Sequence, residues 1–83
     1  MNQNYPNPFN PTTNISFSIP QSGFVKLSVF NLLGQEVARL VDGTMQAGFH
    51  NVTFKAENLN TGVYIYKLEA NDLVQTKKMT LLK

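Results

Sequence analysis

Apolar and polar residues alternate along most of the chain, and this period of two restricts the fold more than any other feature. Between Ile15 and Ile19 the apolar side chains fall on every second position, with polar residues between them. A period of two is typical of half-buried β-strands, whereas an amphipathic helix repeats every three or four residues. No stretch shows a helical pattern of convincing length. The sequence therefore predicts an all-β chain.

The first half of the chain contains three predicted strands. The first follows the alternation around Phe17, and the second places Val25, Leu27 and Val29 on one face after a turn at Gly23. The turn "NLLGQ" then reverses the chain and offers Gly34 for a positive φ. A shorter third strand is expected to end at the turn pair Asp42-Gly43.

The apolar period of this third strand breaks between Val37 and Leu40. An inserted residue in a strand produces a break of this kind, and bulges concentrate at sheet edges. We therefore expect a bulge or an edge strand at this place.

The second half of the chain continues the alternation. His50, Val52 and Phe54 share one face of a fourth strand. The segment "VYIYKLEA" has apolar residues on both faces, which indicates a central strand. Asn71-Asp72 predicts a tight hairpin turn before the last strand, "LVQTKKMTLLK".

Six or seven strands separated by turn signals predict an antiparallel immunoglobulin-like β-sandwich of about seven strands. Tyr64 follows Gly62 by two residues, which matches the tyrosine corner of such folds, where the hydroxyl binds backbone a few residues upstream. Tyr66 then occupies the position where antibody domains carry a cysteine.

The first strand is preceded by a proline-rich segment, "NYPNPFNP". Proline has no backbone donor and a fixed φ, so Pro6, Pro8 and Pro11 exclude a helix or a central strand here. The spacing of Tyr5 and Phe9 predicts that both rings dock on the core. We expect a stiff, docked lead-in.

Size and composition exclude several classes of protein. An 83-residue chain with 42% hydrophobic residues and 14% charged residues can form one small core. It has no cysteine, so disulfides, thiolate metal sites and cysteine nucleophiles are excluded. A net charge of +2 is too small to indicate nucleic-acid binding. No apolar run has the length of a membrane helix, and the polar start does not resemble a signal peptide.

Candidate catalytic groups do not form a recognisable set. His50 is the single histidine and alternates with apolar residues, so a structural role is favoured over that of a general base. The carboxylates are scattered and suggest neither an acid-base pair nor a calcium loop; they are Glu36, Asp42, Glu57, Glu69 and Asp72. The sequons at Asn14 and Asn51 lie inside predicted strands and carry little weight. We expect no enzyme activity, no cofactor and no metal.

The terminal stretch "TKKMTLLK" supports two interpretations. In the first, Met79 and Leu81 face the core while Lys77 and Lys78 protect a sheet edge from aggregation. In the second, the basic strand is recognised by a partner, through its side chains or by edge pairing. The residue chemistry does not decide between them.

Taken together, these motifs closely resemble the type A C-terminal sorting domain of proteins exported by the type IX (Por) secretion system. The resemblance spans Asn4 to Lys83 and rests on "NYPNPFNPTTNISFSIP", "VFNLLGQEV", "AGFHNVTF", "LNTGVYIYKLEA" and "TKKMTLLK". It implies that residues 1–3 are a linker stretch and that residues 4–83 are the sorting domain. Fold-motif positions carried over are Pro8, Phe9, Pro11, Gly34, Gln35, Gly62 and Tyr64.

The resemblance also implies partners and a location. The domain would direct upstream cargo domains of the same precursor through the type IX machinery, and a sortase-like protease would remove it as the cargo is attached to the cell surface. Candidates for recognition by the translocon are Lys77, Lys78, Met79 and Lys83. Such precursors belong to Bacteroidota and related bacteria, and a signal peptide for passage through the periplasm would lie upstream.

The sequence leaves two other functions open for this domain. Related flagellar hook-assembly-type immunoglobulin-like modules share the "NPFNP" start and the Gly-x-Tyr corner, and they serve as structural or adhesive modules. A carbohydrate-binding module would need a solvent-facing aromatic strip that the pattern does not show.

We expect a monomer, with a dimer formed by exchange of terminal strands as the alternative.

Overall fold

Six β-strands and no helix make up the regular structure of the computed structural model, which describes all 83 residues. The strands are β1 (Thr12–Ile19), β2 (Gly23–Phe30), β3 (Glu36–Met45), β4 (Gly48–Lys55), β5 (Gly62–Ala70) and β6 (Leu73–Leu81). The predicted all-β class is confirmed, with six strands instead of seven. The structure has no helix long and apolar enough to span a membrane.

The strands form two antiparallel sheets that pack together as a sandwich. One sheet pairs β1 with β4, and the other has the order β3-β2-β5-β6. Fifteen buried apolar residues from both sheets and from the flanking loops form one core. Alternate residues of β1 and β2 enter this core, as the period of two predicts.

β3 is an edge strand and carries two irregularities, so the break in its apolar period is explained. Leu27 pairs with Val41 while the next residue, Ser28, pairs with Arg39, which leaves Leu40 as an extra residue. A second shift leaves Val37 unpaired. The predicted bulge and edge position are both confirmed.

The predicted turn at Asp42-Gly43 is wrong. β3 continues to Met45, because β2 extends far enough for Gly23 to pair with Met45 and Val25 with Gly43. The chain passes to the other sheet after Met45, where Gly48 has a φ of 126°. Sheet pairing with β2 therefore overrides the local preference of the Asp-Gly pair for a turn.

The other turns and strand positions agree with the sequence. Asn71 has a φ of 54° in the hairpin between β5 and β6, and Gly34 has a φ of 84° in the turn after β2. β5 lies between β2 and β6, so the prediction of a central strand is confirmed.

The N-terminal segment (residues 1–11) runs along one side of the sandwich and touches both sheets. Tyr5 forms an antiparallel bridge with Asn14 of β1, and Phe9 forms a parallel bridge with Leu81 of β6. The peptide bonds before Pro6, Pro8 and Pro11 are cis. Phe9 is buried as predicted, but the prediction for Tyr5 is wrong, since its side chain is 79% exposed. Tyr5 is held by its backbone pair with Asn14, so its ring is free to face solvent.

Candidate functional site

The two neighbouring lysines of β6 point to opposite faces of the sheet. Met79 and Leu81 are buried in the core, and Lys77 lies on the same face two residues earlier, half-buried. Lys78 lies on the outer face and is exposed. Of the strand's recognition candidates, Met79 is 1% exposed, so a partner of the folded domain reaches Lys78 and not the Met79 side chain.

The third lysine, Lys83, follows the end of β6 and is held by the loop that precedes β5. Its backbone nitrogen donates to the Thr61 hydroxyl at 3.0 Å, and its Nζ donates to the Glu57 carbonyl. None of the three terminal lysines forms an ion pair with a carboxylate; the salt bridges of the domain are Arg39–Glu36, Arg39–Asp42 and Lys67–Glu69. The terminal positive charge is therefore free to attract an acidic partner.

The N-terminal segment covers the last part of the outer edge of β6. Phe9 donates to the Thr80 carbonyl at 3.0 Å and accepts from the Leu82 nitrogen at 2.9 Å. The Asn7 Oδ1 accepts from the Thr80 nitrogen at 2.9 Å, and Gln3 Nε2 donates to the Lys78 carbonyl at 2.7 Å. Four consecutive outward polar groups, from the Lys78 carbonyl to the Leu82 N–H, thus have partners.

A buried polar network fixes the start of the segment against β1 and β5. The Tyr66 hydroxyl accepts from the Asn4 nitrogen at 2.8 Å and donates to the Asn2 carbonyl at 3.0 Å. The Asn4 side chain donates to the Thr13 hydroxyl at 3.0 Å, which itself donates to the Pro6 carbonyl at 2.8 Å. Buried polar groups of this kind are costly without partners, so the network specifies one docked position.

Burial changes the ionisation of this tyrosine. Removal of the hydroxyl from water raises the pKa of Tyr66 above its ordinary value, and the hydrogen bond from the Asn4 backbone offsets part of that rise. The neutral hydroxyl that both donates and accepts is therefore the stable form.

Some of the fold positions taken from the sorting-domain resemblance make a specific contact in the structure, and others do not. The Tyr64 hydroxyl donates to the Asn60 carbonyl at 2.7 Å, which is the predicted tyrosine corner. Asn31 binds Gln35 through backbone and side chain and closes the turn that contains Gly34. Gly62, by contrast, pairs with Leu81 in an ordinary strand conformation, and a Cβ there would meet no atom within 4 Å.

Of the two carried-over prolines, Pro11 makes a backbone hydrogen bond. The Pro11 carbonyl accepts from the Ala56 nitrogen at 2.8 Å and so joins the segment to the end of β4. Pro8 is exposed and lies between the exposed Asn7 and the buried Phe9. Neither ring enters the core.

Groups with catalytic chemistry are not brought together. His50 Nε2 lies 2.7 Å from the Gln46 carbonyl, and its ring packs against Phe17 with centroids 5.6 Å apart. No cluster of three histidine, aspartate or glutamate residues could hold a metal ion. His50 thus has a packing role in this structure.

Fold and site together define a small antiparallel β-sandwich domain with an exposed basic terminal strand and a docked N-terminal segment. Residues 3–82 match the family model described as "Secretion system C-terminal sorting domain". The chain belongs to this family, whose members are C-terminal sorting signals for type IX secretion. Searches of curated proteins and of solved structures gave no match.

Family membership defines the general role of the domain. As a sorting signal it is part of a larger precursor, interacts with the type IX secretion machinery and leads to export to the cell surface or the extracellular space.

Proposed function

We propose that the type IX machinery recognises this domain through the exposed basic residues at its C-terminal end, Lys78 and Lys83. The observation that carries the proposal is that both lysines are exposed without an ion pair, Lys78 beside the buried Met79 and Lys83 just beyond the end of β6. Exposed lysines without an ion pair add little to stability, so their charge is available for recognition.

Lys77 and Met79 have a supporting role in this proposal. Met79 anchors β6 in the core, and the half-buried Lys77 lies beside it on the same face. The aliphatic stem of such a lysine packs on apolar surface while its ammonium group stays in water, where it adds to the positive potential of the strand.

The proposal extends to the precursor as a whole. Residues 1–3 join the domain, residues 4–83, to the cargo, and a signal peptide on the upstream part takes the precursor to the periplasm of a bacterium of the Bacteroidota. A sortase-like protease then removes the domain upstream of Asn4 and attaches the cargo to the surface. The docking of the N-terminal segment supports this order, because Asn2 and Asn4 are bonded to the domain and the accessible substrate is the chain upstream of the segment.

We also propose that the domain has no enzyme activity of its own and needs no cofactor, and that it is a monomer. The N-terminal segment and β6 bind each other within one chain, which supports the monomer over a dimer with exchanged terminal strands. Light scattering across a concentration series tests this, since a mass that doubles with concentration would indicate the dimer.

Export of a reporter tests the sorting function. The chain is fused to the C-terminus of a fluorescent protein with a signal peptide, in a bacterium with a working type IX system, and fluorescence is measured in cells and medium. We expect export of the intact fusion and loss of export for Lys78→Ala. The matched control is Lys55→Ala, which removes an exposed lysine from β4 in the other sheet.

The export levels of the three fusions separate recognition by the basic strand from recognition elsewhere. Equal export of the Lys78→Ala and Lys55→Ala fusions would move recognition away from the basic strand. Retention of the intact fusion in the cell would contradict the sorting function of this chain and favour a structural module. Thermal unfolding of both variants is measured in parallel, because a change on an exposed lysine is expected to stay within about 0.5 kcal/mol.

A further inference from the structure

The outer edge of β6 is divided into a covered part and an open part. The strand pairs with β5 in a regular register, so the N–H and C=O groups of every second residue point away from β5. The bonds to Thr80 and Leu82 show that the even-numbered residues point outward. Outside the ladder no hydrogen bond reaches the backbone of Val74 or Thr76.

The open part therefore presents five backbone groups to solvent. They are the N–H and C=O groups of Val74 and Thr76 and the N–H group of Lys78, whose carbonyl is bound by Gln3. An exposed row of donors and acceptors in a regular strand is a template for pairing with another extended chain.

The other edge of the same sheet is much less suited to such pairing. β3 has extra residues at Val37 and Leu40, which interrupt the spacing of its outward groups. Between them lies Arg39, which binds Glu36 at 3.0 Å and Asp42 at 3.1 Å and places its own ion pairs along that edge. The register of β6 has no such shift.

From this we propose that the open part of the β6 edge, Val74 to Lys78, binds an extended acidic segment of a partner protein, which adds a strand to the sheet. The inference rests on the proposed function, since it specifies how the recognised strand is bound. Main-chain hydrogen bonds supply the affinity of such strand addition, and neighbouring side chains supply its specificity.

Charge indicates the chemistry of the partner. Lys77 and Lys78 flank this edge on opposite faces, and neither has a carboxylate partner. An added strand also presents side chains on both faces, so acidic residues on each face would meet one of the two lysines. A second copy of this chain is disfavoured, because pairing two β6 edges around Thr76 would gather four lysines.

A groove on the outer face continues the same surface. It is lined by residues of β2, β5 and β6 and of the turn after β2, and Thr76 at the open edge forms one side of it. Phe30, Leu32 and Ile65 give it an apolar character, and Leu32 is 66% exposed. The added strand can therefore place an apolar side chain, next to one of its acidic residues, in this groove.

A proline at position 76 tests the edge without breaking the sheet. The Thr76 nitrogen points away from β5, so Thr76→Pro removes an edge donor and blocks a new strand while all ladder bonds remain. The matched control is Thr76→Val, which keeps the backbone donor. In the reporter fusion we expect export of Thr76→Pro to be about tenfold or more below that of Thr76→Val, because the two variants differ in the backbone donor. Val74→Pro replaces Thr76→Pro if the latter unfolds.

A second measurement uses the isolated chain and an eight-residue peptide in which two glutamates and two valines alternate as pairs, so that an added strand carries glutamate and valine on both faces. We expect the peptide to shift the amide resonances of Val74, Thr76 and Lys78, and expect neither a glutamine-valine peptide nor the Thr76→Pro variant to show these shifts. This titration decides the proposal even if the intact fusion is not exported, in which case the sorting function fails separately.

Three results would overturn the proposal. The first is export of folded Thr76→Pro at the level of Thr76→Val. The second is a titration without shifts at the open edge. The third is binding to vesicles of anionic phospholipid that Lys78→Ala abolishes and Thr76→Pro leaves intact, because that pattern would assign the lysines to a membrane surface.

Discussion

The hydroxyl of Tyr66, in the middle of the central strand, lies 2.8 Å from the backbone nitrogen of Asn4. This bond joins the core of the sandwich to a segment 62 residues away in sequence. Because the same hydroxyl donates to the Asn2 carbonyl, one side chain satisfies two backbone groups of the N-terminal segment. The docking of that segment is therefore coupled to the core of the domain.

Replacement of Tyr66 by phenylalanine should loosen the N-terminal segment. The ring would still fill the core, but the Asn4 N–H would stay buried without an acceptor, which costs about 1–3 kcal/mol. We expect this decrease in the free energy of unfolding, together with faster hydrogen exchange at Asn4 and at the Tyr5–Asn14 pair. Denaturant unfolding and NMR exchange measure the two effects.

The control for this experiment is Tyr64→Phe, which removes a hydroxyl from the same strand. Its hydrogen bond goes to Asn60, in the loop before β5, and not to the N-terminal segment. Exchange at Asn4 should therefore stay at the parent rate. Equal acceleration in both variants would show that the docking follows global stability and not the Tyr66 hydroxyl.

The pair Asn4 and Thr13 should show a measurable coupling energy. Both side chains are buried and bonded to each other at 3.0 Å. Asn4→Ala and Thr13→Val should each lower stability by about 1–3 kcal/mol, and the double variant by less than their sum, with a coupling of about 0.5–3 kcal/mol. Chemical denaturation of the four proteins gives this value.

The exposed pair Asn14 and Thr53 is a matched control for that cycle. Thr53 donates to Asn14 Oδ1 at 2.9 Å across β1 and β4, but in an exposed position. Because water can replace this bond, the cycle of Asn14→Ala and Thr53→Val should give a coupling close to zero. A coupling as large as that of the buried pair would contradict the role given to burial.

The tyrosine corner should carry a large part of the stability at the β5 end. Tyr64→Ala would remove a buried ring and its bond to Asn60 together, so we expect a loss of about 3–5 kcal/mol. Tyr64→Phe should cost about 1 kcal/mol, the usual contribution of one hydrogen bond. Unfolding of both variants at the parent's denaturant midpoint would exclude the corner as a stabilising contact.

Local sequence patterns predict most of the sandwich because each strand has one buried face. The alternation placed Phe17, Leu27 and Phe54 in the core correctly, and the break near Leu40 located the bulge. The end of β3 was predicted wrongly, because it depends on the length of the neighbouring strand β2. The local turn preference of Asp42-Gly43 contains no information about this cross-strand pairing.

The buried polar network of Asn4, Thr13 and Tyr66 was not predicted, for a similar reason. Thr13 stands in phase with the apolar positions of β1, and a polar residue in phase with a core is a signal for a buried partner. The partner, Asn4, belongs to a segment without periodicity, so its position could not be predicted from the pattern. The opposite faces of Lys77 and Lys78 follow from the period of two once Met79 and Leu81 are placed in the core, whereas the half-burial of Lys77 depends on the assembled sandwich.

Stability at alkaline pH should report the buried Tyr66 hydroxyl. Folding raises the pKa of Tyr66 from its ordinary value of 10.0, so the folded domain holds this proton more tightly than the unfolded chain does. The resulting stabilisation is complete below pH 10 and is lost as the pH rises from there through the raised pKa of the folded state. Lysine deprotonation in the same range affects the parent and Tyr66→Phe alike. The stability difference between the two proteins should therefore be constant from pH 7 to 9 and diminish above pH 10, as measured by urea unfolding. A difference that stays constant up to pH 11.5 would show that ionisation of Tyr66 does not oppose docking of the segment.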